Sequence, residues 1–139
     1  MNPALADMAA YSVWVYALKE RQPWVLHSTL ALVSVGATLA KLEGRMECPG
    51  GVTVEVWELV DFSSARIRTY SYEVYQGGEK IGWYDSWAHP EIPALTPTFP
   101  HHKHIRPNLR ENRVPAPGIA FDAPNLDVVL ADVRRELQL

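Results

Sequence analysis

Three regimes of hydrophobic patterning divide the chain. In the first, Leu5, Met8, Ala9, Ser12, Val13 and Tyr16 recur at helical spacing. Asn2-Pro3 marks a helix start, with proline at the first helical position, and Pro23 disfavours helix at Gln22. A helix is predicted within residues 1–22. Its polar face is thin, which predicts burial over much of its surface.

The second regime, 23–87, has the period of strands. Trp24 to Val33 is apolar on both parities apart from His27, Ser28 and Thr29, and Leu39 to Glu47 follows as a second strand. In Val52–Val60, the valines at 52, 54, 56 and 60 share one face with Glu58. Arg66–Tyr75 and Lys80–Trp87 complete an antiparallel meander. Turns are predicted at Gly36, Cys48-Pro49-Gly50-Gly51, Asp61–Ala65 and Gln76-Gly77-Gly78-Glu79.

The third regime, 88–123, has no period. Eight of the eleven prolines lie in it or at its end, which predicts a long stiff loop kept out of any sheet interior. In 124–139 the helical period returns. Asn125 is the predicted cap, and Leu126, Val129, Leu130, Val133 and Leu137 form an apolar stripe. The expected fold is one α+β domain over 1–139. It has an N-terminal helix, about five strands in a curved antiparallel sheet, a proline-rich loop and a C-terminal helix. Helices should cover one sheet face and leave the other as a working surface.

Composition narrows the setting. Cys48 is the single cysteine, so no intrachain disulfide can form and a reducing compartment is expected. Trp24–Ala40 is interrupted by six polar or glycine positions and makes a poor membrane span. The first residues carry no basic region, and a cytoplasmic protein is expected. A net charge of -3 disfavours a general nucleic-acid coating role. The charge is uneven, however. Between Ala88 and Gly118, Lys103, Arg106, Arg110 and Arg113 face only Glu91 and Glu111.

That basic stretch also holds the densest chemistry. His101, His102 and His104 fall within four positions, with Lys103 among them, and His89 lies upstream. Histidine exchanges protons near neutral pH, so neighbouring imidazoles can divide the roles of base and acid. A lysine beside them can hold a phosphate. Base, acid and cation are the parts needed to cleave RNA at its 2′-hydroxyl without a metal. Asp85, Glu58 or Tyr72 could orient a histidine. Two other readings stay open. The histidines could be polar packing groups in a loop. His102 and His104 could also ligate one ion, because they point the same way on an extended chain. A third ligand would come from His89, Asp85 or Glu91, and zinc would suit such a set. Lys103 would then point away. Tyr70 and Tyr72 share a parity with Arg66 and Arg68, a pattern that would suit an RNA-binding platform, with Arg106 adding charge beside the histidines. His27 and Cys48 read as structural. No glycine-rich phosphate loop and no Gly-x-Ser-x-Gly elbow is present.

Tyr70-Ser71-Tyr72, Tyr84-Asp85, His89-Pro90-Glu91 and Thr98-Phe99-Pro100-His101-His102-Lys103-His104 together resemble the TumE family, the toxin half of TumE–TumA toxin–antitoxin modules. The likeness runs from about Thr53 to the last helix and is most specific from Phe99 to His104. After the aspartate the family carries an Asn-Ala-Pro-His-type stretch, where this chain has Ser86-Trp87-Ala88-His89. The resemblance implies a toxin that a cognate antitoxin neutralises, the antitoxin being a helix-turn-helix DNA-binding protein. It also implies RNA as a substrate, since many toxins of this size are ribonucleases. No membrane partner is expected, and a homodimer is compatible with a chain of this size. The expected function is a metal-independent endoribonuclease-like toxin. His101, His102 and His104 would share the acid and base roles, Lys103 would bind phosphate and Asp85 would orient a histidine. The alternative is a non-catalytic binding protein or a metal-binding protein that uses the same loop.

Overall fold

A computed structural model describes all 139 residues. After a 3-10 turn at Pro3–Leu5 come α1 (Met8–Tyr16) and α2 (Leu18–Arg21). Eight strands follow: β1 (His27–Ser28), β2 (Ala31–Ser34), β3 (Leu39–Cys48), β4 (Val52–Asp61), β5 (Arg66–Gln76), β6 (Glu79–Asp85), β7 (His102–Ile105) and β8 (Arg113–Pro115). The last element is α3 (Leu126–Glu136). The strands form one antiparallel sheet in the order β1-β3-β4-β5-β6-β7-β8, and β2 pairs with β3 beside β1. This is the expected α+β arrangement of a helix, an antiparallel meander and a closing helix. No helix is long and apolar enough to cross a membrane.

The strand count exceeds expectation for two reasons. The stretch Trp24–Val33 is two short edge strands rather than one, because its ladder to β3 lapses at Thr29 and Leu30, opposite Arg45 and Gly44, with the register unchanged on either side. Thr29 N donates to Arg45 O, and the Thr29 hydroxyl accepts from Arg45 N, both at 2.9 Å, so a side chain stands in for part of the ladder. Gly44 has φ 139°, and a Cβ there would sit 2.6 Å from Thr29 O. Gly44→Ala is therefore expected to cost about 1–3 kcal/mol, read as a lower denaturation midpoint with lost exchange protection at Thr29 and Arg45. Unchanged protection at those two amides would sink this account.

The second reason is that residues 88–123 are not all loop. His102–Ile105 contains no proline and adds β7 to the edge of β6. β8 ends at Pro115, which is tolerated because β8 is the outermost strand and needs no further donor.

α1 and α3 cover one face of the sheet. The core under them includes Tyr11, Leu42, Met46, Val54, Ile67, Tyr72, Leu126 and Leu130. The cap of α1 is Asp7, whose side chain accepts from Ala10 N at 2.8 Å, whereas Asn2 caps the preceding 3-10 turn. The outer side of α1 is less buried than its composition predicts: Val13 and Tyr16 are exposed. Tyr16 uses its hydroxyl to accept from the edge amide of Leu32.

Asn125 does not cap α3 with its side chain. Its own backbone is already helical (φ -110°, ψ -14°), which takes the side chain out of capping position. The buried amide instead brackets Ala120, accepting from its N and donating to its O, and donates to the Tyr72 hydroxyl at 3.1 Å.

Candidate functional site

The site begins where β6 runs out. Asp85 faces His102 across the β6–β7 ladder, Tyr84 faces Lys103, and Trp83 faces His104. Successive side chains of a strand alternate between faces. Trp83, Asp85, His102 and His104 therefore share the face that the helices leave open, and Lys103 points to the covered one. β8 places Arg113 opposite His104, on the same open face.

Three ligand-type atoms converge there. His102 Nε2 lies 2.8 Å from Asp85 Oδ1, and His104 Nε2 lies 3.4 Å from Asp85 Oδ2. Proximity is not hydrogen bonding here. Both Nε2 atoms are buried and neither has a hydrogen-bond partner. The other nitrogens are engaged. His102 Nδ1 sits 3.1 Å from Pro100 O and His104 Nδ1 2.5 Å from Leu109 O. A carbonyl only accepts, so each Nδ1 carries the hydrogen.

Asp85 is itself held from two sides. The Trp83 indole donates to Oδ2 at 2.6 Å and Trp87 N donates to Oδ1 at 3.0 Å. Trp83 also stacks on the His104 ring, with centroids 3.6 Å apart. His102 and His104 are only 1% and 3% exposed although no helix covers them. Flanking loop segments do so instead: His89 packs edge-on against His102, and Pro100 and Leu109 supply the two carbonyls.

Burial by itself raises the Asp85 carboxyl, but His102, His104 and Trp83 outweigh it and hold the group well below the usual carboxylate range. Burial lowers His102, and the Asp85 carboxylate and the Pro100 carbonyl more than reverse that, so it protonates more readily than a free imidazole. His101 goes the other way. Burial lowers it, and the nearby charges of His102 and Arg66 lower it further.

The remaining sequence-predicted residues disperse. His101 leaves the trio and bonds the Tyr70 hydroxyl through Nδ1 at 2.7 Å, against Phe121. Lys103 donates to Asp132 and Glu136 of α3, 2.8 Å from each. His89 is tied to Glu91 at 3.0 Å. Arg106 is exposed just past β7. The parity that grouped Tyr70 and Tyr72 with Arg66 and Arg68 is broken by a bulge in β5. Leu59 pairs with Thr69 but Val60 pairs with Ile67, which leaves Arg68 unmatched and flips the strand. Tyr70 and Tyr72 are therefore core residues, while Arg66 and Arg68 are exposed. Arg68 pairs with Asp61 and Arg66 lies over Phe121. Glu58 and Tyr72 do not reach any histidine. They bond each other, with Tyr11 as Glu58's second partner.

Arg113 and Trp83 were not legible as site residues. A three-residue strand ending in proline carries no periodic signal, and only its pairing with β7 reveals where Arg113 points. Trp83 reads in the sequence as core packing, and only the alternation of β6 puts it beside Asp85.

A family model described as "Toxin TumE" matches residues 15–137. No curated protein and no solved structure matches the chain. The matched span contains the whole sheet, the Asp85–His102–His104 trio and α3, and the chain belongs to the TumE toxin family.

Proposed function

We propose that this toxin of a toxin–antitoxin module acts on RNA as an endoribonuclease centred on Asp85, His102 and His104. The observation that carries the reading is the convergence of two imidazoles and one carboxylate on the open sheet face, under loops rich in arginine. Membership of a toxin family implies a cognate antitoxin. The middle of the same face sets Glu43, Glu55 and Glu73 against Arg45, with Lys41 and Lys80 paired to Glu43 and Glu73, so it offers a polyanion no excess of positive charge. RNA is expected to approach from the other side, where Arg106 and Arg110 are exposed. Arg113 adjoins the trio, and its buried Nε has no partner. Two exposed aromatics, Trp87 and Phe99, flank the site in sequence and supply faces on which bases can stack.

Purified protein incubated with a defined RNA tests the reading. Wild type should cleave it, and His102→Ala/His104→Ala should lose about 100-fold or more of the rate while remaining folded. Arg113→Gln should weaken RNA binding and lower the salt dependence by about one phosphate contact. A folded wild type that cleaves no RNA, in any added metal or chelator, would move the function to partner binding.

A further inference from the structure

We infer that Asp85, His102 and His104 form a binding site for one divalent transition-metal ion of the zinc class. The inference deepens the proposed site, but its test does not depend on RNA.

The ligand atoms His102 Nε2, His104 Nε2 and an Asp85 oxygen all lie within 4.8 Å of one another. Both Nδ1 atoms donate to backbone carbonyls, at Pro100 and Leu109. That fixes the tautomer, so each neutral imidazole keeps an unbonded Nε2 lone pair close beside the carboxylate. Two unbonded lone pairs and an anion in a buried place call for a cation among them. A proton on Nε2 would supply part of that charge, but neither Nε2 makes a hydrogen bond to Asp85. A metal ion would satisfy both nitrogens and the carboxylate at once, since one atom from each residue lies within 4.8 Å of the others. With bonds of about 2.0–2.1 Å, tetrahedral ligands stand about 3.3 Å apart; the 3.4 Å from His104 Nε2 to Asp85 Oδ2 matches, and the 2.8 Å from His102 Nε2 to Oδ1 opens by about half an ångström on binding.

The surroundings fit as well. Metal-bound histidines donate their second nitrogen to a carbonyl or carboxylate, and metal-bound carboxylates are themselves hydrogen-bonded. Both Nδ1 atoms and both Asp85 oxygens meet that description. The donor set is two imidazoles and one carboxylate. It suits zinc better than magnesium or calcium, which prefer all-oxygen sites. Three protein ligands leave a fourth position for solvent or a substrate oxygen, as in catalytic rather than structural zinc sites. Lys103 does not compete for the ion, because it faces the opposite side of β7.

Titrating the metal-free full chain with zinc sulfate alone, followed by calorimetry and by elemental analysis after dialysis, is the test. One equivalent should bind the wild type and His27→Ala, and none should bind His102→Ala or Asp85→Asn. Trp83→Phe keeps the stacked ring and removes the hydrogen bond that positions Asp85. It should still bind one equivalent, about 10- to 100-fold more weakly. Zinc should also raise the melting temperature of wild type but not of Asp85→Asn. If His102→Ala does not fold, the Trp83→Phe affinity and the Asp85→Asn melting shift decide. Failure of the wild type to bind zinc, or binding that survives in Asp85→Asn with unchanged affinity, overturns the inference. RNA cleavage in excess chelator by a protein that binds no zinc would remove the metal and leave the ribonuclease reading standing. Stoichiometric zinc without cleavage would do the reverse.

Discussion

Lys103→Ala is expected to lower stability by about 3 kcal/mol, read as a shift in the denaturation midpoint with an unchanged slope. Lys103 and Asp132 are both buried, and the lysine ammonium lies 2.8 Å from Asp132 Oδ2 and from Glu136 Oε1. The Tyr84 hydroxyl and Arg135 also bond Asp132. This cluster ties α3 to the last strands of the sheet. Removing the lysine leaves a carboxylate that water hardly reaches and that has lost its nearest buried cation. Arg135 remains but is largely exposed, so it offsets only part of the loss. In an Asp132→Asn background the same substitution should cost less, with a coupling of about 1–3 kcal/mol. A Lys103→Ala protein with wild-type stability and weakened RNA binding would refute this account and restore the lysine as a phosphate ligand. The consequence for the site is indirect: a strand anchored on one face holds His102 and His104 in place on the other.

Stability should also fall by about 3 kcal/mol as pH rises from about 4.5 to about 7, and the fall should be absent in Glu58→Gln. Glu58 has no exposed surface and receives the hydroxyls of Tyr11 and Tyr72, each at 2.5 Å. Burial raises its carboxyl from 4.5 to about 7, and the two tyrosine hydrogen bonds lower it by less than burial adds. Below about pH 4.5 the group is protonated in both the folded and the unfolded chain. Between the two values the unfolded chain releases its proton and the folded chain keeps it, so protons favour folding and are lost from the balance as pH rises. Above about pH 7 both states are ionised and the dependence levels off. His101 and His102 titrate nearby with opposite shifts, so the difference between wild type and Glu58→Gln is the informative curve. Glutamine keeps the volume and an acceptor for one tyrosine. Identical pH profiles for the two proteins would show that the Glu58 carboxyl titrates alike in the folded and unfolded chain.

Much of the scaffold could be read from local pattern. The alternation in Val52–Val60 gives β4 and its buried face, Glu58 included, because strand side chains alternate whatever the strand packs against. Gly50-Gly51 and Gly77-Gly78 mark two turns because they take positive φ there. The stripe from Leu126 to Val133 gives α3 and the face it buries. One expectation failed where a single residue shifts the period. The β5 bulge at Arg68 separates arginines from tyrosines that the sequence groups together. The break does not show in hydrophobicity, because a bulge changes register without changing composition.

The site divides in the same way. The densest cluster of ionisable side chains, at 101–104, is legible in the sequence, as is the alternation that points His102 and His104 one way and Lys103 the other. Extended backbone imposes that on any sequence. Asp85 was expected beside a histidine, but strand pairing is what sets it against both His102 and His104, joins His101 to Tyr70 and brings Arg113 onto the open face. Those outcomes depend on which strand β7 pairs with and in what register, and residues 17 to 19 positions apart are brought together by ladder hydrogen bonds that no local pattern encodes.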